Sequence, residues 1–345
     1  MTGTIEGKQL ACLSLLEGAS QPELDAVAAR MWCRNALPGD VLAREGEPGE
    51  TFGLVLEGTV SVSRGSPASE RILDVVGPGS ILGELAVLRG LPRTATLTAV
   101  DPVVLAVGDR EALELLLHIP PVYERVRRLA SARLARDLRP VAAFLKDGTA
   151  VLLRPLLPID RHAFGEEVHR LSEGSLRRRF FSPQPPSEKM IDYLIDIDYV
   201  DHFAWLAVDA VDHHKGLATA RFVRLADRSS AEVAFGTSEG YHRRGLGTLL
   251  LGALGVAAAE GGIETLVGHV LEENAPMRAV FAKANPKSFF DEPGVLRVTV
   301  PSRSAAEILS PDLRSELAAA VHDIVTAASL ALSDPTDAGS ARSSG

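Results

Sequence analysis

Apolar and polar positions alternate in short runs through residues 37–107. The runs read VLAREG, FGLVLEGTVSV, RILDVV, TATLTAV and VVLAV, and Pro-Gly pairs stand between several of them. A period of two is typical of strands with one buried face, and short strands separated by turn dipeptides are typical of small barrels. The pattern therefore predicts a compact β-barrel in the N-terminal half of the chain.

A helical pattern follows from residue 109 to about residue 145. Its second half, YERVRRLASARLARDL, repeats apolar residues at helical spacing among arginines, which predicts a connecting helix. After the turn KDG at residues 146–148, strands and helices alternate to about residue 300, which predicts a mixed α/β domain. We therefore expect two domains with a C-terminal extension. They are predicted over 1–145 and 146–303, followed by a helix over 304–332 and a disordered tail over 333–345.

Composition excludes several classes of protein. The 36 Lys and Arg against 45 Asp and Glu give a net charge of -9, the wrong sign for a chain that grips nucleic acid over much of its surface. The start MTGTIEGKQL lacks a basic segment followed by an apolar run, and no later apolar stretch exceeds the length of a core helix. Two cysteines suit a reducing compartment. We expect a cytoplasmic protein with neither a nucleic acid nor a membrane as partner.

The segment GELAVLRGLPRTAT, residues 83–96, carries the first candidate site. Free backbone N–H groups where GELA opens a helical turn attract a phosphate, and Arg93 adds a charge-assisted hydrogen bond to it. The ionised Glu84 only accepts hydrogen bonds, so it suits a ribose hydroxyl. This acid and this arginine therefore suit a small ligand that carries both a sugar hydroxyl and a phosphodiester. The alternative is a solvated ion pair on the surface of a barrel.

This segment resembles the phosphate-binding cassette of cyclic-nucleotide-binding domains, and the glycine pattern before it matches the same family over residues 37–107. The resemblance implies a jelly-roll-like barrel with flanking helices that binds cyclic AMP as an allosteric ligand. It implies that Glu84 holds the ribose 2′-OH and Arg93 the cyclic phosphate. The rest of the cradle would be Gly83, Leu85, Ala86, Thr94 and Ala95. Because Thr94 resembles members that prefer cyclic GMP, that nucleotide remains an alternative ligand.

The segment AEVAFGTSEGYHRRGLGTLLLGALGVAAAEGG, residues 231–262, carries the second candidate site. Gly245 and Gly247 are not followed by the third glycine of a dinucleotide fingerprint, and no GxxxxGK[ST] occurs. What remains is a strand, a turn with a nest of backbone N–H groups at residues 243–248, and a helix. That nest, flanked by Arg243 and Arg244, favours binding of a pyrophosphate.

This block resembles motif A of the GNAT acetyltransferases, and the order of elements over residues 150–300 resembles the same superfamily. The resemblance implies a mixed-sheet α/β domain with acetyl-CoA as a substrate. The following EENAPMRAVFAK resembles the next strand-to-helix junction, which implies that Asn274 contacts the pantetheine arm and Lys283 the nucleotide end. The other coenzyme contacts would be Phe235, Gly236, Thr237, His242, Arg243, Arg244, Gly245, Leu246, Gly247 and Thr248.

Glu232 is the candidate general base. Acetyl transfer to lysine needs a neutral amine, yet the side chain has a reference pKa of ~10.4, so some base must accept its proton. In AEVAF, Val233 and Phe235 share one face of a strand and Glu232 points to the other. The alternative is a solvent-facing strand carboxylate. The tyrosine that is the usual acid in the family is absent from FAKANPKSFF, although a thiolate leaves readily without one.

Two further residues are candidates outside these motifs. His169 precedes GSLRRRFF, which lies on the substrate side in a GNAT fold, and we assign it a regulatory contact. Asp209, followed by DHH at residues 212–214, is a candidate metal ligand, with a hairpin turn as the alternative. No metal can be named from this spacing.

The two domains together resemble the bacterial cyclic-AMP-regulated protein lysine acetyltransferases. The shared segments in the second half are RPLLPID, LRRRFF, DYVDHF, ARFVR and AEVAF. The resemblance implies acetylation of a lysine in acyl-adenylate-forming enzymes such as acetyl-CoA synthetase, and autoinhibition that cyclic AMP relieves. We predict that the C-terminal helix is the inhibitory lid. The alternatives are a small-molecule amine acetyltransferase, a catalytically weak coenzyme-A sensor, and a transcription regulator, which would need a helix-turn-helix in place of the strands.

Overall fold

The computed structural model describes residues 3–65 and 69–326. Contacts divide the chain into two compact units, and the division falls between Ala130 and Ser131. Within the described residues, no helix is both long enough and apolar enough to span a bilayer.

The first unit contains two four-stranded antiparallel sheets, with strand orders β1-β8-β3-β6 and β2-β7-β4-β5. Its core is formed by side chains such as Leu54, Ile81 and Ala106, which have no solvent exposure. The predicted jelly-roll-like barrel is confirmed. The strands are β1 Met31–Ala36, β2 Val41–Ala43, β3 Phe52–Glu57, β4 Val60–Arg64, β5 Arg71–Val76, β6 Ile81–Leu82, β7 Thr96–Ala99 and β8 Val103–Gly108.

Helices flank this barrel, as predicted. Asp109 caps α4, because its carboxylate accepts a hydrogen bond of 2.9 Å from the Ala112 N–H. The next helix, α5, buries Val122 and Val126 in the core of this unit. The helices are α1 Gly7–Leu10, α2 Gln21–Ala28, α3 Glu84–Arg89, α4 Arg110–Leu117 and α5 Pro120–Asp137, with a 3₁₀ turn at Ser14–Leu16.

The connecting helix is shorter than predicted. It ends at Asp137, and Val141–Phe144 forms strand β9 with alternating buried and exposed residues. Pro140 explains the difference, because a proline disfavours the helical conformation of the residue before it. The expectation of a helix to residue 145 is therefore wrong over its last residues, and the predicted boundary at 145 and 146 falls in the turn after β9.

The second unit is built on one eight-stranded sheet with the order β15-β16-β14-β13-β12-β11-β10-β9. Neighbouring strands are antiparallel, except β13 and β14, which are parallel. The mixed α/β sheet is confirmed. The strands after β9 are β10 Ala150–Pro155, β11 His202–Asp209, β12 Gly216–Arg224, β13 Ser230–Thr237, β14 Thr265–Leu271, β15 Lys287–Glu292 and β16 Val295–Pro301.

One helix of the second unit, α9, is buried on nearly all sides. At Gly252 and Gly255 it meets α11 and its following turn so closely that a Cβ would lie 2.5 Å from Leu309 and from the Ala306 nitrogen. The helices are α6 Arg161–His169, α7 Glu173–Phe180, α8 Glu188–Ile195, α9 Leu246–Glu260, α10 Ala275–Phe281, α11 Ser302–Ala306 and α12 Pro311–Thr326, with 3₁₀ turns at Pro158–Asp160 and Ala282–Ala284.

The predicted C-terminal helix is two helices, α11 and α12, with a break before Pro311. Proline is favoured at the first position of a helix, which explains the restart. Leu317, Val321 and Ile324 of α12 are at most 1% exposed and belong to the core of the second unit. The remainder of the predicted helix and the predicted tail, residues 327–345, lie outside the described residues.

A split in the sheet positions the candidate site. Strands β13 and β14 pair only from Ser230 opposite Thr265 to Val233 opposite Gly268. Beyond this point the two strands separate, so residues 234–237, which still pair with β12, have no neighbouring strand on the β14 side.

Candidate functional site

The cassette of the first unit turns at Gly83, whose φ is +76°. Arg93 donates hydrogen bonds of 3.1 Å to the Gly83 carbonyl and to Thr51 Oγ1. A Cβ at Gly83 would collide with this guanidinium, so glycine is required both by the backbone angle and by the contact. The arginine is therefore held at the start of α3 by neutral acceptors.

Glu84 follows directly and is only 1% exposed. Burial lowers the pKa of Arg93, while the charges of Glu47 and Glu84 oppose that shift. Glu84 is thus buried and Arg93 half-buried, and the two charges interact, so they are not a solvated surface pair. The remaining predicted cradle residues differ in exposure: Ala86 is buried, Gly83, Leu85 and Ala95 are half-buried, and Thr94 is exposed.

A cleft of about 870 Å³ lies where β13 and β14 separate. The start of α9, helix α7 and helix α10 complete its walls. It collects nearly all of the residues that the sequence assigned to acetyl transfer. These are Glu232, Phe235, Gly236, Thr237, His242, Arg243, Gly245, Leu246, Gly247, Thr248, Asn274 and Lys283.

The turn before α9 has the backbone of an anion-binding nest. Arg243 and Gly245 both have left-handed φ angles, +63° and +103°. The first N–H groups of α9, at residues 246–248, have no acceptor within the helix and carry its positive dipole end. This end of the cleft therefore suits a phosphate group.

Two lysines add positive charge beside this turn. Lys283 donates a hydrogen bond of 2.9 Å to Thr248 Oγ1. Its pKa is lowered by burial and by the nearby charge of Lys146, which also lines the cleft. An anion placed between the two ammonium groups would relieve their repulsion.

Arg244 does not line the cleft. Its guanidinium donates a hydrogen bond of 2.7 Å to Asp147 and lies over the ring of Tyr241. Asn274 lines the cleft, but its side-chain oxygen accepts from the Met277 N–H and caps α10. The side-chain oxygen of Asn274 therefore already accepts a hydrogen bond within the protein.

Glu232 lies on β13 with its side chain 52% exposed toward the cleft. The neighbouring Val233 is buried, as the alternation of AEVAF predicts. Arg179 on α7 also lines the cleft; burial lowers its pKa to about 10, while the Glu232 charge opposes the shift. His269 Nδ1 on β14 lies 3.4 Å from Glu232 Oε1.

Helix α7 is anchored by Glu239 at the end of β13. Its carboxylate accepts hydrogen bonds of 2.8 Å from the hydroxyls of Ser172 and Ser175 at the start of the helix. These bonds lower the pKa of Glu239. The anchor fixes the helix that carries Arg178 and Arg179 into the cleft.

His169 and Asp209 lie elsewhere. His169 ends α6, contacts the Gly165 carbonyl at 2.7 Å and lines a separate groove with Arg161 and Glu188. Asp209 accepts from the N–H groups of Val211 and Asp212, as expected for a hairpin turn. No cluster of metal-ligating side chains occurs within residues 3–65 and 69–326.

Sequence reasoning missed several polar residues that line the cleft, among them Lys146, Arg179, Tyr241 and His269. Lys146 and His269 come from strands and turns with no motif of their own. Arg179 and Tyr241 lie in segments that the sequence singled out, LRRRFF and GYHRRG, but one-dimensional spacing does not show which of several arginines turns inward.

Two family models match the chain. The cyclic nucleotide-binding domain matches residues 33–119, and the acetyltransferase (GNAT) family matches residues 173–285. The first match covers the Arg93 cassette, and the second covers Glu232, the turn before α9 and Lys283. The predicted pairing of these two domain types is confirmed.

Several known proteins are similar to this chain. Acetyltransferase Pat from Mycolicibacterium smegmatis is 34% identical over 328 residues, which cover 94% of this chain and 98% of that protein. A solved cAMP-binding acyltransferase from Mycobacterium smegmatis is 32% identical with the same coverage of both chains and a TM-score of 0.47. A CRP-like cAMP-activated global transcriptional regulator from Mycobacterium tuberculosis is 28% identical over 129 residues, 37% of this chain and 58% of that protein. The chain therefore belongs to the Pat family of acetyltransferases, enzymes that join a cyclic nucleotide-binding domain to a GNAT acyltransferase domain.

Proposed function

We propose that this enzyme is a cyclic-AMP-regulated protein lysine N-acetyltransferase. It transfers the acetyl group of acetyl-CoA to a lysine of acyl-adenylate-forming enzymes such as acetyl-CoA synthetase. The observation that carries the proposal is one cleft that is lined both by a carboxylate, Glu232, and by the start of α9, whose free N–H groups suit a phosphate. Arg93 and Glu84 in the first unit support cyclic AMP as the regulator.

The cleft suits acetyl-CoA along its whole length. The N–H groups of residues 246–248 would bind the pyrophosphate, and Lys146 and Lys283 would neutralise further phosphate charge. Residues 235–237 pair with β12 on one edge, and their other edge, which β14 leaves open, would take the pantetheine amides as a sheet edge takes an added strand. The coenzyme supplies the thioester whose carbonyl carbon the amine attacks.

Glu232 would accept the proton of the substrate ammonium, directly or through water. The neutral amine then attacks the thioester, a C–N bond forms, the C–S bond breaks, and the coenzyme thiolate takes the second amine proton. A thiolate with a pKa near ~8.5 needs little help to leave, which suits a cleft without the usual tyrosine after Asn274.

Incubation of purified acetyl-CoA synthetase with this enzyme and acetyl-CoA tests the proposal. We expect acetylation of one synthetase lysine, detected by mass spectrometry, and a higher rate with cyclic AMP. Acetylation of small amines alone would identify a small-molecule acetyltransferase, and coenzyme binding without transfer would identify a sensor. Either result would contradict the proposal.

Glu232→Gln tests the base. The amide retains the size of the side chain but cannot accept the proton, so turnover should fall by ~10²-fold or more with little change in coenzyme affinity. Glu264→Gln, an exposed carboxylate outside the cleft, is the control. A Glu232→Gln enzyme with wild-type turnover at every pH would exclude the assignment.

A further inference from the structure

A histidine that lines the cleft, His269, lies between two carboxylates. His269 Nδ1 is 3.4 Å from Glu232 Oε1, and its Nε2 is 3.2 Å from Asp291 Oδ2. The exposed fractions of the three side chains are 52% for Glu232, 31% for His269 and 40% for Asp291. The imidazole therefore connects the candidate base to a second carboxylate that is open to solvent.

The topology of the sheet creates this arrangement. His269 is the first residue of β14 beyond its pairing with β13, so its side chain stands at the split, next to Glu232. Asp291 is the extra residue of a β-bulge, because the register of β15 against β16 shifts between Phe290 and Glu292. Bulges redirect a side chain and recur next to active sites.

We propose that His269 is a positioning and proton-relay residue for Glu232, and that Asp291 holds its imidazole in the productive orientation. The proposal rests on the proposed function, in which Glu232 is the base. Nothing in the motifs of the sequence assigns either residue.

The relay conserves protons. The substrate ammonium gives a proton to the Glu232 carboxylate, and the carboxylic acid passes a proton to Nδ1 of a neutral His269. The Nε2 proton of the resulting imidazolium leaves to Asp291 and then to water. Glu232 is again ionised, and one proton has moved from the substrate to solvent before the amine attacks the thioester. The ring proton, now on Nδ1, returns to Nε2 by exchange with water before the next turnover.

The groups around the imidazole suit this role. The carboxylates of Glu232 and Asp291 face it from β13 and β15, Arg297 of β16 is its partner in register, and Arg179 of α7 interacts with Glu232. Carboxylate oxygens thus lie 3.4 and 3.2 Å from the two ring nitrogens, so each nitrogen faces an oxygen with which it can exchange a proton.

The His269→Asn substitution in the full-length chain distinguishes a proton relay from a side chain that only fills space. Asparagine places an amide near the position of Nδ1 but cannot carry a proton. We expect kcat to fall ~10-fold or more with an unchanged KM for acetyl-CoA, and the loss to shrink at high pH, where solvent takes the proton from Glu232. Asp291→Asn should lower kcat less, and Glu292→Gln, the next residue of β15, should have no effect.

Chemical rescue gives an independent measurement. Free imidazole should restore part of the turnover of His269→Ala, because it can accept the proton in the space left by the side chain. A wild-type pH profile of kcat for His269→Asn, or a loss equal at every pH and insensitive to imidazole, would overturn the relay. An inactive Glu232→Gln beside fully active His269 variants would overturn the relay alone, whereas an active Glu232→Gln would overturn the base and the relay together.

Discussion

Arg93 is oriented by hydrogen bonds to neutral groups that an anion can replace. Its two hydrogen bonds of 3.1 Å go to a neutral carbonyl and a neutral hydroxyl, which a phosphate oxygen can replace with charge-assisted bonds. The guanidinium is planar and binds such a group through two parallel N–H donors. The geometry around this one side chain therefore favours a cyclic phosphate over an uncharged ligand.

Arg93→Lys is expected to weaken cyclic AMP binding by about 10- to 100-fold, because a lysine retains the charge but loses the paired donors. Calorimetry on the full-length chain measures the effect, with the exposed Arg71→Lys as control. Unchanged affinity in Arg93→Lys would remove the residue from the site. Competition between cyclic AMP and cyclic GMP in the same experiment decides what Thr94 selects.

His202 makes the stability of the second unit depend on pH. Burial, and then the charge of Arg221, lowers its pKa to about 4. Its Nδ1 lies 3.1 Å from the Asp196 carbonyl, and Arg221 Nη1 lies 3.2 Å from Nε2. A second ring proton would therefore point at a guanidinium, so the folded chain keeps the imidazole neutral.

The folded-state pKa of His202 lies below the ordinary value near 6.5, so between these two values the unfolded chain binds the extra proton. The free energy of unfolding should fall as the pH falls through this window, by on the order of 3 kcal/mol in all, and should be unaffected above it. Urea unfolding at pH 7 and pH 4.5 measures the change. The same decrease in His202→Gln would assign it to other groups.

Helix α9 has two roles in the second unit. Its first turn lines the cleft, and its middle is packed so tightly on α11 that only glycine fits at residue 255. The start of α9, where we propose that the pyrophosphate binds, is thus fixed by packing farther along the same helix. Helix α12 is also part of the core of this unit, and none of its residues lines the cleft.

Gly255→Ala is expected to destabilise the second unit by about 1 to 3 kcal/mol, because the added methyl group would overlap the backbone of α11. Ala259→Ser, on an exposed position of the same helix, is the control. The urea midpoint can be followed by the fluorescence of the buried Trp205 with Trp32 replaced by Phe. Equal midpoints for the two variants would contradict the tight packing.

At the scale of the whole molecule, one continuous helix, α5, passes through the division between the two units at residue 130. Its first half buries Val122 and Val126 in the first unit, and its second half buries Ala135 in the second. A ligand regulates a distant site only when it binds two states of the protein unequally. The helix is the natural element to differ between those states.

We expect cyclic AMP to raise acetyltransferase activity by ~5 to 150-fold, the range of typical coupling energies. Arg93→Lys should require more cyclic AMP for the same activation. Full-length enzyme that binds cyclic AMP tightly and is equally active without it would refute the coupling.

The test of the predicted inhibitory lid needs a truncation that removes fewer residues than the whole C-terminal helix. Removal of residues 304–345 would take Leu317, Val321 and Ile324 out of the core, so that chain should lose its fold. A chain that ends at residue 326 keeps these contacts. It should stay folded and show raised basal activity or a weaker response to cyclic AMP. Wild-type behaviour on both counts would exclude a lid after residue 326.

The sequence alone determined the two domain types and most of the candidate site, because those residues are contiguous. The Glu84 to Arg93 cassette and the turn before α9 each draw their candidate contacts from neighbouring backbone and side chains, so their order along the chain carries their chemistry. The alternation of AEVAF likewise placed Glu232, because a strand directs successive side chains to opposite faces.

Only the tertiary structure decided which other side chains join the residues of these motifs. Lys146, Arg179 and His269 come from a turn, a helix and a strand and line one cleft, and Asp291 contacts His269 from the bulge in β15. Pairing of strands between elements that are distant in sequence sets these distances, and no local pattern encodes them. For the same reason the sequence predicts a lid where α12 lies, although packing against α9 buries one face of α12 in the core.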